Sequence, residues 1–177
     1  MRSWCFIIVL GVFFQDDAIL FDFNLANGIS DWYVVNDGVM GGLSQGDLVL
    51  NETGHGVFKG YVTTENNGGF SSLRHAFKTR DISNYTQVVL LVKGDGKQYQ
   101  FRMKAAPGQR YSYINTFKTS GDWETISIPL ESFYPSFRGY RLDLPNFDGK
   151  NLAEIGILIG NKTNENFQLE IDRITLK

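Results

Sequence analysis

Two histidines, one cysteine and a scatter of carboxylates make up most of this chain's capacity for acid–base, nucleophilic or metal chemistry. His55 and His75 are separated by a predicted strand and a turn, with no metal-ligand spacing between them. Cys5 sits in an apolar N-terminal run, and no serine stands in a nucleophile elbow. Asp16-Asp17, and Asp143 with Asp148, offer oxygen ligands but match no calcium loop. Gly38-Val39-Met40-Gly41-Gly42 lacks the GxxxxGK(S/T) pattern and precedes no helix, which excludes a nucleotide phosphate loop. The inventory predicts a chain that is not an enzyme and that uses no metal or cofactor. An enzyme would have to bring Asp37, Arg74, His75 and Asp143 within about 3–4 Å of one another in a cleft.

Binding chemistry is better represented. The run from Asp31 to Ser44 sets aromatic and branched apolar residues against a glycine-rich turn. Gly38, Gly41 and Gly42 tolerate positive φ and close backbone contact. Asp37 and Ser44 are read two ways, as a ligand-facing rim or as side chains that tie down the turn's own N–H groups. Met40 is a gap-filler or a contact residue. Asn66, Asn67 and Arg74 form a second turn and the strand after it. Arg74 can fork onto a carboxylate of a partner, or onto an internal one such as Asp37 or Glu65. Phe137 and Arg138, within Phe137-Arg138-Gly139-Tyr140-Arg141, combine the residue types that make interface hot spots. The bland alternative is a loop whose aromatics finish the core edge. Trp32 and Trp123 are read as structural, in the core or packing a sheet against a loop, with a sugar-stacking platform as the alternative.

Short strands must position these groups. Segments 19–23, 47–51, 57–63 and 70–77 carry strand composition, with turns at Asn27-Gly28 and Asn66-Asn67-Gly68-Gly69. Residues 87–93 and 97–104 flank Gly94-Asp95-Gly96 and predict a central hairpin. In its second arm Tyr99, Phe101 and Met103 share one face, and Gln98, Gln100, Arg102 and Lys104 the other. Segments 111–118 and 123–128 continue the pattern until Pro129, which cannot donate to a ladder. Residues 131–151 read as a long irregular loop, and 155–159 and 167–174 as closing strands. No helical stripe exceeds about three turns, so the fold class is all-β, a β-sandwich.

The chain has 177 residues and a formal net charge of -2. That length fits one core, and that charge offers no drive toward nucleic acid. Arg2 followed by the apolar run 4–14 matches a signal peptide, placing a cleaved segment at 1–15 and one β-sandwich at 16–177. The run is too short to span a bilayer, and the mature region holds no transmembrane stretch. Export to a periplasmic or extracellular space is therefore expected, or a cytoplasmic or membrane-associated place if the segment stays. Asn51-Glu52-Thr53, Asn84-Tyr85-Thr86 and Asn161-Lys162-Thr163 are glycosylation sequons.

The run from Trp32 to Ser44 resembles the complex I intermediate-associated protein 30 family. The likeness continues at Gly60-Tyr61-Val62, at 66–74, at 123–130, at Phe137-Arg138-Gly139, and at 155–159 ahead of 167–171. It implies a jelly-roll sandwich like galactose-binding domains. It also implies the role of the mitochondrial relatives, which help assemble respiratory NADH dehydrogenase without being subunits of the finished enzyme. The N-terminus departs from a mitochondrial address, which favours several Arg and Ser on an amphipathic helix. Two functions follow as expectations. The first is a protein-binding or assembly-factor-like module using the Asp31–Ser44 turn and the Tyr134–Tyr140 loop. The second is a carbohydrate-binding module using the same end of the sandwich.

Overall fold

The computed structural model describes residues 17–177; the expected signal peptide at 1–15 lies outside the described residues. The described residues form thirteen strands: β1 (Ala18–Asp22), β2 (Trp32–Asn36), β3 (Gln45–Leu50), β4 (Gly56–Val62), β5 (Ser71–Asp81), β6 (Gln87–Lys93), β7 (Gln98–Lys104), β8 (Ser112–Lys118), β9 (Trp123–Pro129), β10 (Tyr134–Phe137), β11 (Tyr140–Arg141), β12 (Asn151–Ile159) and β13 (Glu165–Leu176). They make two antiparallel sheets. The first runs β3-β4-β13-β6-β9, and the second runs β11-β10-β8-β7-β12-β5-β2. In the first sheet β13 is the hub. It pairs with β6 along one edge, and with β4 and then β1 end to end along the other.

Alternation along the strands fills the space between the sheets. Phe58, Leu90 and Leu169 point in from the first sheet; Leu73, Phe101, Ile155 and Ile157 point in from the second. All seven are fully buried. Each such side chain stabilises the fold by about 1.5–3 kcal/mol relative to exposure. The expected split of β7 holds: Tyr99, Phe101 and Met103 lie in the core, and Gln98 to Lys104 alternate outward. The result is the predicted jelly-roll β-sandwich.

The expected central hairpin is not present. β6 lies in the first sheet between β13 and β9, and β7 lies in the second between β12 and β8. Gly94-Asp95-Gly96 is instead a crossover between sheets. Alternation fixes which face a residue takes, not which strand it pairs with. Long-range contacts decide here. A side chain at Gly94 would overlap Thr119, and the Asp95 carboxylate accepts from Tyr99 Oη, Lys97 Nζ and the Gln168 N–H, each at 3.0 Å. Burial and the neighbouring Asp95 charge push the Tyr99 phenol far above its ordinary range.

Residues 131–151 are also more ordered than expected. β10 adds to the edge of β8, and β11 folds back on it through Arg138-Gly139. Both turn residues have positive φ, +51° and +83°, the two-residue geometry that matches strand twist. Arginine is an uncommon occupant of that position, which is why the hairpin is silent in the sequence.

Candidate functional site

The glycine-rich turn is built around one buried carboxylate. β2 ends at Asn36 and a short 3-10 turn covers Asp37–Met40. Asp37 is 1% exposed. Its Oδ1 accepts from the Ser44 N–H at 3.1 Å, and its Oδ2 from the Gly69 N–H at 2.6 Å and the Phe70 N–H at 3.2 Å. Burial would raise its pKa; the donors from Ser44, Gly69 and Phe70 outweigh burial and hold it below the ordinary carboxylate value. Side chains at Gly42 or Gly68 would overlap this carboxylate, so both glycines are spaces for Asp37. Gly41 supplies a left-handed residue at φ +86°, while Gly38 has neither a positive φ nor a close neighbour.

Its polar neighbours are equally committed. Ser44 Oγ donates to the Thr63 carbonyl and accepts from the Thr63 N–H. Asn36 Oδ1 accepts from the Gly46 N–H and from Ser71 Oγ, which joins the two sheets. Asn66 and Asn67 adopt left-handed φ values of +53° and +60°, and Asn67 stays exposed. The Met40 side chain lies outside the described residues. Trp32 is buried beside Phe21 and Phe23 and stacks on His75 at 5.0 Å.

The four residues an enzyme would need do not converge. Asp37 is enclosed in its turn, and His75 faces the core with Nδ1 3.0 Å from the Asp31 carbonyl. Arg74, its neighbour in β5, points to the opposite face, and Asp143 is exposed in the loop after β11. His55 has a different setting: Nδ1 is 3.0 Å from Thr53 Oγ1, Nε2 is 3.5 Å from Asp172 Oδ1, and Trp123 meets its ring edge-on at 4.6 Å. The Thr53 hydroxyl donates to Asn51 Oδ1 at 2.8 Å, so the imidazole is not positioned as its base. Trp123 is 40% exposed on the outer face of the first sheet, packed on this turn and away from Trp32. Pro129 closes β9 opposite Gln87. Among the described residues no three His, Cys, Asp or Glu side chains cluster to hold a metal.

The outer face of the second sheet carries a constellation that no motif announces. Cross-strand register aligns Tyr33, Arg74, Gly156, Arg102, Ile114 and Tyr134 in one row across β2, β5, β12, β7, β8 and β10. Five inter-strand steps make the row about 24 Å long. Tyr33 is exposed at one end. At the other, the Arg141 guanidinium lies 4.7 Å over the Tyr134 ring, and Phe137 is flanked by Arg110 and Arg138 at 5.8 and 5.4 Å. Arg74 Nε donates to Ser72 Oγ at 3.3 Å, and pairs with neither Asp37 nor Glu65. Arg102 Nε is buried without a hydrogen-bond partner among the described residues. Glu154, beside the row, is taken by Lys104 at 3.0 Å. A shallow depression of about 390 Å³ continues the face over Gln98, Gln100, Leu158, Gly160, Asn161 and Lys162. Arg74, Phe137 and Arg138 are therefore associated with this face or its end, while Asp37 and Ser44 are not. Gly156 and Arg102 were legible only as strand residues, and Tyr33 only as a member of the run from Asp31 to Ser44, whose first part forms β2.

The model of the family described as complex I intermediate-associated protein 30 matches residues 21–171. The mitochondrial protein of that name from Drosophila melanogaster is 26% identical over 184 residues, covering 90% of this chain and 62% of the relative. A probable counterpart from Caenorhabditis elegans is 26% identical over 160 residues, covering 75% and 46%. The chain thus spans less than two thirds of the length of these relatives. Among solved structures, a family 11 carbohydrate-binding module from Clostridium thermocellum, in complex with a β-1,3-1,4-mixed-linked tetrasaccharide, superposes with a TM-score of 0.64. That likeness is 20% identical over 90% of this chain and 94% of the module, and shows a shared fold. No helix among the described residues is long and apolar enough to cross a membrane.

Proposed function

The chain belongs to the complex I intermediate-associated protein 30 family, and on that premise we propose that it is a non-enzymatic protein-binding module of the assembly-factor kind. Its docking surface is the outer face of the second sheet. The observation that carries this reading is the row from Tyr33 to Tyr134, in which exposed or half-exposed aromatics bracket arginines that lack an ion pair among the described residues. Arginine and tyrosine are the residue types that dominate binding energy at protein interfaces. The Asp31–Ser44 turn then serves as the brace behind that surface, and the Arg138 hairpin as its rim.

Affinity capture of the tagged chain from its host, followed by mass spectrometry, tests the reading. Subunits of respiratory NADH dehydrogenase or of another membrane assembly should be recovered with the parent, and lost with the Arg74→Glu/Arg102→Glu double variant. A second reading rests on the depression lined by Gln98, Gln100 and Asn161, whose amides suit sugar hydroxyls. Recovery of no protein, together with binding on a glycan array, replaces the first reading with a carbohydrate-binding module. Compartment belongs to the same experiment. A new N-terminus between Phe14 and Ala18, found outside the cytoplasm, supports export and a generic binding role; an intact Met1 favours the inherited assembly role.

A further inference from the structure

The row on the outer face has an incomplete centre. Arg74 and Arg102 stand in register on either side of Gly156, on β5, β12 and β7. Two inter-strand steps put their Cα atoms about 10 Å apart, a span that two guanidinium arms can close. No side chain stands between them, and a Cβ on Gly156 would lie 2.7 Å from the Leu73 carbonyl oxygen and 3.5 Å from Arg74 Cγ. A glycine inside a central strand marks a place where another group approaches the backbone closely; here the Leu73 carbonyl does so, with the Arg74 stem in contact beside it.

The charges are unbalanced. Arg102 has a buried Nε with no acceptor, and neither arginine forms an ion pair among the described residues. Glu154 acts on Arg102 through its charge, but its carboxylate is hydrogen-bonded to Lys104. Burial, with the Arg74 charge added, pulls the Arg102 guanidinium down to about 10. Two adjacent cations, one withdrawn from water, are stabilised by an anion shared between them. A carboxylate matches the guanidinium fork with two parallel bonds.

We propose that Arg74 and Arg102, which flank Gly156 in register, form a carboxylate-binding site that receives an aspartate or glutamate from an extended acidic segment of a protein partner. This rests on the docking reading given above. The occupant is argued from charge and length: an anion completes the centre, and the 24 Å row matches about seven residues of extended chain. Tyr33 and the Arg141-capped Tyr134 then hold the flanks of that segment.

The test uses the full chain labelled with 15N and a ten-residue peptide carrying three glutamates, with its glutamine counterpart as control. The glutamate peptide should shift the Arg102 Nε–Hε resonance saturably. It should bind at least tenfold more tightly than the glutamine peptide, and lose at least tenfold with Arg102→Met or Arg74→Gln. Arg102→Lys, which keeps the charge and removes Nε–H, should lose most of the same affinity. Arg173→Met, on the first sheet, should change nothing. Circular dichroism and thermal melting establish that each variant is folded, and a variant that is not folded is replaced by Arg102→Gln. Equal binding of the two peptides, no binding, indifference to both arginine variants, or tighter binding of an oligogalacturonate than of the peptide each overturns the site. Capture of a partner whose retention ignores both variants keeps the docking reading and removes this site; peptide binding without capture keeps the site and removes the assembly reading.

Discussion

Asp37, buried behind the glycine-rich turn, has a donor for each carboxylate oxygen, all from the chain's own backbone. Arg102, half-buried on the outer face of the second sheet, has an Nε with no acceptor among the described residues. The molecule thus completes one withdrawn charge and leaves another open. The two outer faces repeat the contrast. On the first sheet Lys93 faces Glu170, Arg173 faces Asp172 and Lys177 faces Asp17, while Lys59 stands exposed in water. On the second, Lys104 takes Glu154, while Arg74, Arg102 and Arg141 have no ion pair among the described residues. A region closed by its own atoms serves the fold, and a region left open has room for something else.

The largest expected effect tests the closed side. Asp37→Ala strands three backbone N–H groups and should cost about 3–5 kcal/mol in denaturant unfolding. A loss below about 1 kcal/mol would erase the contrast. The same carboxylate predicts acid sensitivity. Its folded pKa lies below its ordinary value of 3.8, so its contribution is whole above that value and is lost as pH falls through the folded pKa. Asp37→Asn should remove that part of the acid-unfolding curve. Next in size is Gly68→Ala. The added Cβ would lie 2.6 Å from Asp37 Oδ2 and 2.9 Å from the Thr63 carbonyl, an overlap that should cost about 2 kcal/mol in the same measurement. The smallest effect has the opposite character. Arg102→Met keeps an apolar stem and removes an unanswered cation, so stability should stay level or rise by up to about 1 kcal/mol. A clear loss would mean that the open charge is structural after all.

Faces were legible in the sequence and partners were not. Tyr99, Phe101 and Met103 go inward as their alternation requires, because burial of one strand face is a local pattern. The hairpin expected at Gly94-Asp95-Gly96 fails because a turn's composition does not say whether the next strand returns to the same sheet. Contacts with Thr119 and Gln168, distant in sequence, make it a crossover. β11 was hidden by Arg138, a residue type that does not advertise a left-handed turn. The conspicuous turn around Asp37 was visible because its glycines are crowded into one short segment. The arginine row was invisible because only register brings Arg74, Gly156 and Arg102 together.

The place of β13 in the first sheet bears on how the molecule is made. It emerges from the ribosome after the other described strands, yet β1, β4 and β6 all pair with it. Until it arrives, those strands have no common neighbour, and Phe58 and Leu90 lack the partner face that Leu169, Ile171 and Ile174 provide. The nascent chain therefore carries an open apolar surface until residues 165–176 have been made. Such pairings across long sequence separations form slowly and leave unpaired edges exposed to aggregation. A stop codon ahead of Glu165 would release a chain that has lost the strand on which the first sheet is assembled, and holdase chaperones are the natural recipients of that product.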